Sequence, residues 1–370
     1  MGWLNGWTKR VKITIDQTDI DAALANFPIL LYLSSASGRN AEDITFIFDE
    51  IGANKLKIAV TTSDGETQCY VEVEYWDSAN EKAWLWVKVP SISAIADTDL
   101  YLYYDNTHAD NTDYVGDPDS IPAMNVWDTN FKAVWHMNDL TTSTVIDSTS
   151  NPNNGTKKAA NEPIEANGKI GKAQDFDGVN DVITVAHHSS LEITEEVTLE
   201  AWYYRDTTGS GIFHTIFGSG WAYPWLIRLE ESAEANAYMI RFRFADNTHT
   251  GELQPDTPTA TAGEFRHVAG TFNKAEGRVK LYVNGVEVGN WQNNAWKQNL
   301  IVDATKSFYL GGTNTNTNLF DGKLDEMRIS NAERSAAWIK ASYETERDHL
   351  LDWGSEETEI PPSGILVQVM

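Results

Sequence analysis

Two carboxylates about 5 Å apart are what a retaining glycoside hydrolase needs, and acidic residues two positions apart on one strand share a face and can supply them. Glu72 and Glu74 meet that spacing. They alternate with Val71, Val73 and Tyr75, however, so the pair reads as the wet face of a half-buried strand, and no catalytic residue is assigned. Asp325 and Glu326 are adjacent and on a regular strand would point to opposite faces, which defeats a shared role. No H-E-x-x-H, G-x-S-x-G or P-loop sequence occurs. His136 and His267 lie in apolar runs and read as core imidazoles, whereas His187-His188 precede Ser189-Ser190 in a solvated turn.

Ligand contact is the other chemistry on offer. Trp221-Ala222-Tyr223-Pro224-Trp225 follows Gly218-Ser219-Gly220, and Trp291 and Trp296 flank Gln292-Asn293-Asn294. A flat ring beside amide side chains can stack on the C–H face of a sugar while the amides bond its hydroxyls. Trp221, Tyr223 and Trp296 are the candidate ligand-binding residues. Trp225 reads as the start of a strand, and Trp291 as closing a sandwich end.

The elements that must position these residues are strands. Residues 9–16 place Val11, Ile13 and Ile15 on one side and Lys12, Thr14 and Asp16 on the other, and residues 28–33 form a nearly continuous apolar run suited to burial on both faces. Further strands are expected at 44–48, 55–61, 68–75, 83–89 and 99–104, giving a seven-stranded β-sandwich of roughly a hundred residues. Residues 105–122, rich in Asp and Asn, have the chemistry of a loop and fail the spacing of an EF-hand. A second strand series runs from Val126 to about Trp353. Its clearest hairpin spans 278–288, with Asn284-Gly285 supplying the two positive φ values of a type I′ turn. A helix is expected over 335–343, laying Ala, Trp and Tyr on a sandwich. The expected division is therefore 1–106, first sandwich; 107–125, linker; 126–354, second sandwich; and 355–370, an acidic and Pro-containing tail.

Composition agrees with an all-β protein and excludes several partners. The 370 residues include 14 Trp, 14 Tyr and 13 Phe, side chains that suit pleated sheets and binding surfaces. The 54 acidic and 28 basic residues leave a net charge of −26, which repels nucleic acid and anionic lipid. The single Cys69 excludes an internal disulfide and reads as a buried structural thiol. No run reaches the roughly 20 apolar residues of a membrane span, and Met1-Gly2-Trp3-Leu4 lacks the basic and apolar regions of a classical signal peptide.

Two families emerge from particular segments. Residues 7–15, Glu74-Tyr75-Trp76-Asp77, Trp84-Leu85-Trp86-Val87-Lys88-Val89-Pro90 and Leu100-Tyr101-Leu102-Tyr103-Tyr104 resemble the DUF2341 domain of unknown function. Ala133-Val134-Trp135-His136-Met137, Phe176-Asp177-Gly178-Val179-Asn180-Asp181, Leu199-Glu200-Ala201-Trp202, Leu281-Tyr282-Val283-Asn284-Gly285 and residues 320–329 resemble the laminin-G-like (LamG-3), concanavalin A-like jelly rolls. Phe265 stands where the second family usually has Trp, and Asp105 where the first usually has Gly.

The resemblance implies two tandem β-sandwiches, the second a concanavalin A-like jelly roll, with a short C-terminal helix. It also implies a structural Ca²⁺, with Asp147, Asn154 and Asp325 as candidate ligands matching the family motif and Asp177 and Asp181 as second choices. Relatives that pair these two domains are large surface and phage-like proteins. The expectation is accordingly a non-enzymatic binding or adhesion protein at an extracellular or virion surface, taking a glycan or a cell-surface protein, with homo-oligomers or a virion assembly as its setting. The alternatives are a purely structural role and a polysaccharide-cleaving enzyme.

Overall fold

A computed structural model describes residues 2–139, 143–159, 162–205, 213–218, 225–231, 237–245, 250–253, 260–300, 306–313 and 318–359. The first sandwich packs a five-stranded sheet against a four-stranded one. The five-stranded sheet runs in the order Leu351–Thr358, Lys9–Ile15, Thr98–Tyr104, Ile58–Thr62, Gln68–Cys69; the four-stranded sheet runs Leu24–Leu33, Lys82–Ile92, Val71–Asp77, Val115–Gly116. Alternation works as expected in the first strand, where Val11, Ile13 and Ile15 are fully buried. Phe27, Ile29, Leu30, Leu31 and Leu33 are buried on both faces, because the last helix covers the outer one. Cys69 is buried, and burial pushes its thiol up to about 12.

The second sandwich consists of a nine-stranded and an eight-stranded sheet enclosing a separate core around Trp135, Phe176, Trp225, Phe308 and Phe320. Asn284 and Gly285, at φ 50° and 76°, make the expected turn between strands Arg278–Val283 and Val286–Gln292. Among the described residues no helix is long and apolar enough to cross a membrane.

Three expectations are corrected. Residues 44–48 are not a strand: Phe46–Ile51 is a helix that buries Ile47, Phe48 and Ile51, a spacing of three and four that a short apolar run cannot distinguish from a strand. The connector is not free loop, since Val115–Gly116 pairs in parallel with Val71–Asp77, Ile121–Met124 is a helix capped by Ser120, and Val126, Trp127, Phe131 and Val134 belong to the first core. The acidic run after Trp353 is not a tail up to residue 358. Leu351–Thr358 pairs antiparallel with Lys9–Ile15, and Arg10 and Lys9 meet Glu357 and Glu356. Local composition marked this last segment as solvated, but basic partners more than 340 positions away complete it.

The expected helix is present at Ala336–Glu346, with the Ser335 hydroxyl accepting from Trp338 N. It wedges between the sandwiches. Trp338, Ala337 and Ala341 enter the first core, Ile339 packs with Ala269 and Tyr282 of the second, and Tyr343 stacks on Trp202.

Candidate functional site

The residues with the most chemistry converge at the seam between the sandwiches. Glu72 and Glu74 come from a first-sandwich strand that bulges between Val73 and Tyr75. His136 follows the strand Phe131–Trp135, and Asp325, Glu326 and Arg328 lie on Asp321–Ser330 of the second sandwich. Glu346 comes from the wedging helix. Glu72, Glu74, His136, Asp325, Glu326, Arg328 and Glu346 are all buried, so the expected wet face of 71–75 is instead a polar contact surface covered by the second sandwich.

Adjacent Asp325 and Glu326 are both brought inside by a local irregularity. The pairing with Glu196–Arg205 slips between Glu200 and Trp202, and Glu326 takes φ 47°, so the alternation that would separate the two carboxylates is broken. That is the correction to their expected opposite orientation.

Each group is held from several sides. His136 Nδ1 lies 2.7 Å from Glu326 Oε1 and 3.5 Å from Glu74 Oε2, and its Nε2 lies 3.3 Å from Glu72 Oε2. Trp86 Nε1 donates to Glu74 Oε2 at 2.8 Å and Trp127 Nε1 to Glu72 Oε2 at 2.7 Å. Arg328 donates to Glu326 Oε2 at 2.6 Å and to Glu346, which also accepts from Trp202 Nε1. The guanidinium lies 4.4 Å from the Trp86 ring centroid.

Burial, followed by the charge of Glu326, holds the Glu74 and Asp325 carboxyls well above the usual range. For His136 burial disfavours the cation, but Glu326, Glu72 and Glu74 outweigh it and hold its pKa well above the ordinary value. Burial also disfavours the Glu326 anion, yet His136 and Arg328 hold its pKa below normal. A glycosidase must admit a sugar between its carboxylates; these are sealed beneath Trp86 and Trp127 and serve to join the domains.

The three calcium candidates do not form one site. Asp147 is buried with all four acceptor positions used: Oδ1 accepts from Val134 N and Thr149 N, and Oδ2 from Thr149 Oγ1 and Asn153 N. Asn154 Oδ1 accepts from Asp147 N. These bonds pin a loop to the strand Phe131–Trp135. Asp325 is elsewhere, accepting from Lys169 N and Ile170 N beside the seam.

The second choices fit a hard cation better. Asp177 and Asp181 line a groove of about 340 Å³ with Glu162, Asp175 and Asp321. Asp177 Oδ1 is used by Val179 N and Asn180 N, and Asp181 Oδ2 by Asp177 N, but Asp181 Oδ1 is buried with no partner. An oxygen left in that condition is what a Ca²⁺ ligand set requires.

Trp221 and Tyr223 lie outside the described residues. Trp296 sits in a single 3₁₀ turn, Asn294–Trp296, capped by Asn293, and packs half-buried against the second core. Trp291, by contrast, is 45% exposed. It lies on Val286–Gln292, at the edge of the eight-stranded sheet among the described residues, in register with the buried Val279. Asn290, Gln292, Asn293 and Asn294 beside it are exposed. Sequence patterning noted Gln292, Asn293 and Asn294, but the exposure of Trp291 depends on which strand lies last in the sheet, which spacing along the chain does not give.

Comparison with curated proteins finds no match. Among solved structures, similarity is found to domain 4 of AbnA, a GH43 extracellular arabinanase from Geobacillus stearothermophilus, in complex with arabinotriose (23% identity, 57% of this chain and 97% of that one, TM-score 0.44). It is also found to the binding domain of Paraclostridial Mosquitocidal Protein 1 (17%, 58% and 52%, TM-score 0.47) and to the botulinum neurotoxin serotype D binding domain (18%, 60% and 52%, TM-score 0.44). The chain spans about half the length of these two toxin domains. Residues 40–149 match the profile of DUF2341, a domain of unknown function, and residues 177–340 that of Laminin_G_3, the concanavalin A-like lectin/glucanases superfamily. The chain thus carries a DUF2341 domain followed by a laminin-G-like domain of the concanavalin A-like superfamily.

Proposed function

We propose that this protein is a non-enzymatic binding module that recognises glycans through the end of its laminin-G-like domain bearing Trp291 and Trp296. The observation that carries the reading is Trp291, an indole 45% exposed on an edge strand, with the exposed amides of Asn290, Gln292, Asn293 and Asn294 next to it along the chain and the half-buried Trp296 in the turn that follows. Such a surface gives a sugar an apolar platform and hydrogen-bonding neighbours. The burial of the carboxylate pair supports a non-catalytic role, and the pairing of the two domains supports an extracellular or virion-surface setting. Calcium in this reading is a structural ion of the Asp177–Asp181 groove, where it would take up the orphaned Asp181 oxygen and stiffen the turn.

A glycan array probed with the full chain, with and without calcium, tests the proposal. Reproducible sugar signals that fall at least about tenfold in Trp291→Ala support it, with a change in stability of under about 0.5 kcal/mol, as expected for a rim residue. Signals that survive Trp291→Ala but vanish in Trp221→Ala move the site to the other aromatic segment. A blank array together with oligomers in light scattering contradicts glycan recognition and favours a building role.

A further inference from the structure

The seam contains more buried carboxylate than its cations can answer. Glu72, Glu74, Glu200, Asp325, Glu326 and Glu346 are six buried carboxylates; against them stand Arg328 and the imidazoles of His136 and His267, with Arg334 near Glu200 and Lys169 near Asp325 and Glu346 at the margins. Burying an ion without a partner is costly, and several atoms here have none: Glu72 Oε1, Glu74 Oε1 and Asp325 Oδ1 are fully enclosed and unbonded.

We propose that His136, Glu74 and Glu326 form a site for a zinc- or manganese-type divalent cation that locks the DUF2341 domain to the laminin-G-like domain. One ligand atom from each of the three lies within 4.8 Å of the others. The separations from His136 Nδ1 are 2.7 Å to Glu326 Oε1 and 3.5 Å to Glu74 Oε2. Ligand atoms about 2.0–2.2 Å from a common metal are themselves roughly 3–3.5 Å apart, so the His136–Glu74 separation already fits, and Glu326 and Glu74 need only side-chain adjustments within the 4.8 Å cluster to close round an ion.

The surroundings supply the support a metal-bound imidazole needs. Nε2, on the far side of the ring, lies 3.3 Å from Glu72 Oε2 without making a hydrogen bond to it, and Trp127 Nε1 holds that carboxylate in place beside the ring. Trp86 orients Glu74 and Arg328 orients Glu326. An imidazole nitrogen with carboxylate oxygens selects zinc or manganese over calcium, which takes oxygen ligands. Because one ligand comes from the first sandwich and two follow from segments of the second-sandwich sheet, the ion acts as a cross-link, bound as the chain folds.

The test uses the full chain, unfolded with chelator and refolded in metal-free buffer, then supplied separately with Zn²⁺, Mn²⁺, Co²⁺, Ca²⁺ or Mg²⁺. The expected result is about one equivalent of zinc or manganese by elemental analysis, a melting temperature raised by about 5 °C or more, and a visible absorption band with Co²⁺. Glu74→Gln, which keeps an acceptor for Trp86, and His136→Gln should both lose the equivalent, the shift and the band, whereas Asp181→Asn keeps them. If His136→Gln does not fold, Glu74→Gln decides the matter. Wild-type protein that takes up no zinc or manganese, a shift given by calcium alone, or full metal uptake by Glu74→Gln overturns the proposal, and none of these results depends on sugar binding.

Discussion

Arg328 is the residue on which the seam turns. It spans Glu326 and Glu346 and lies over Trp86, so removing it strands two enclosed carboxylates. Breaking a buried ion pair from one side costs about 3–5 kcal/mol, and Arg328→Ala should lose that much in urea unfolding. A methionine of similar volume should lose no less, since the carboxylates remain. Asp348 offers a cleaner test by pH. It accepts from Gly38 N with both oxygens, and burial raises its pKa to about 6. A carboxyl whose folded pKa lies above its unfolded value favours the folded state when protonated, so its contribution is lost as pH rises from about 4 to about 6. Asp348→Asn should therefore stabilise the protein at pH 7.5 by about 1–2 kcal/mol more than it does at pH 4, measured by denaturant titration at the two values. The φ of 59° at this position suits Asn at either pH. At this scale the sequence was partly legible. Cys69, His136 and His267 were recognisably buried, but Glu72 and Glu74 were not, because alternation tells which side chains share a face and not what later covers that face.

Strand alternation and turn chemistry made most elements readable, including the Asn284-Gly285 hairpin and the helix beginning after Ser335. What escaped was long-range pairing. Leu351–Thr358 reads as charged and polar because it is an edge strand, and only its neighbour Lys9–Ile15 reveals it as part of the first sandwich. Leu351 and Trp353 are buried in that core, and Arg39 bonds Asp352. A chain ending at Leu350 should thus lose stability in the first sandwich although it retains all of residues 1–106. Circular dichroism melts should show a fall of at least about 10 °C, the consequence of losing a sheet edge and two large core side chains. An unchanged melt would return the segment to the status of a tail. The Phe46–Ile51 helix was missed for a different reason: six residues are too few to separate the periods of helix and strand.

Lys9–Ile15 and Leu351–Thr358 lie in the same sandwich, with the laminin-G-like domain between them in sequence. Among the described residues, the returning strand, the wedging helix and the carboxylate–imidazole seam all join the halves. The charged groups best suited to chemistry consequently lie buried between the domains, while Trp291 stays exposed at the rim. Differential scanning calorimetry of the full chain tests this unity most directly. The account predicts one transition whose calorimetric and van't Hoff enthalpies agree, splitting into two in Arg328→Ala. Two resolved transitions in the wild-type protein would contradict it, showing that the sandwiches are neighbours and not one cooperative unit.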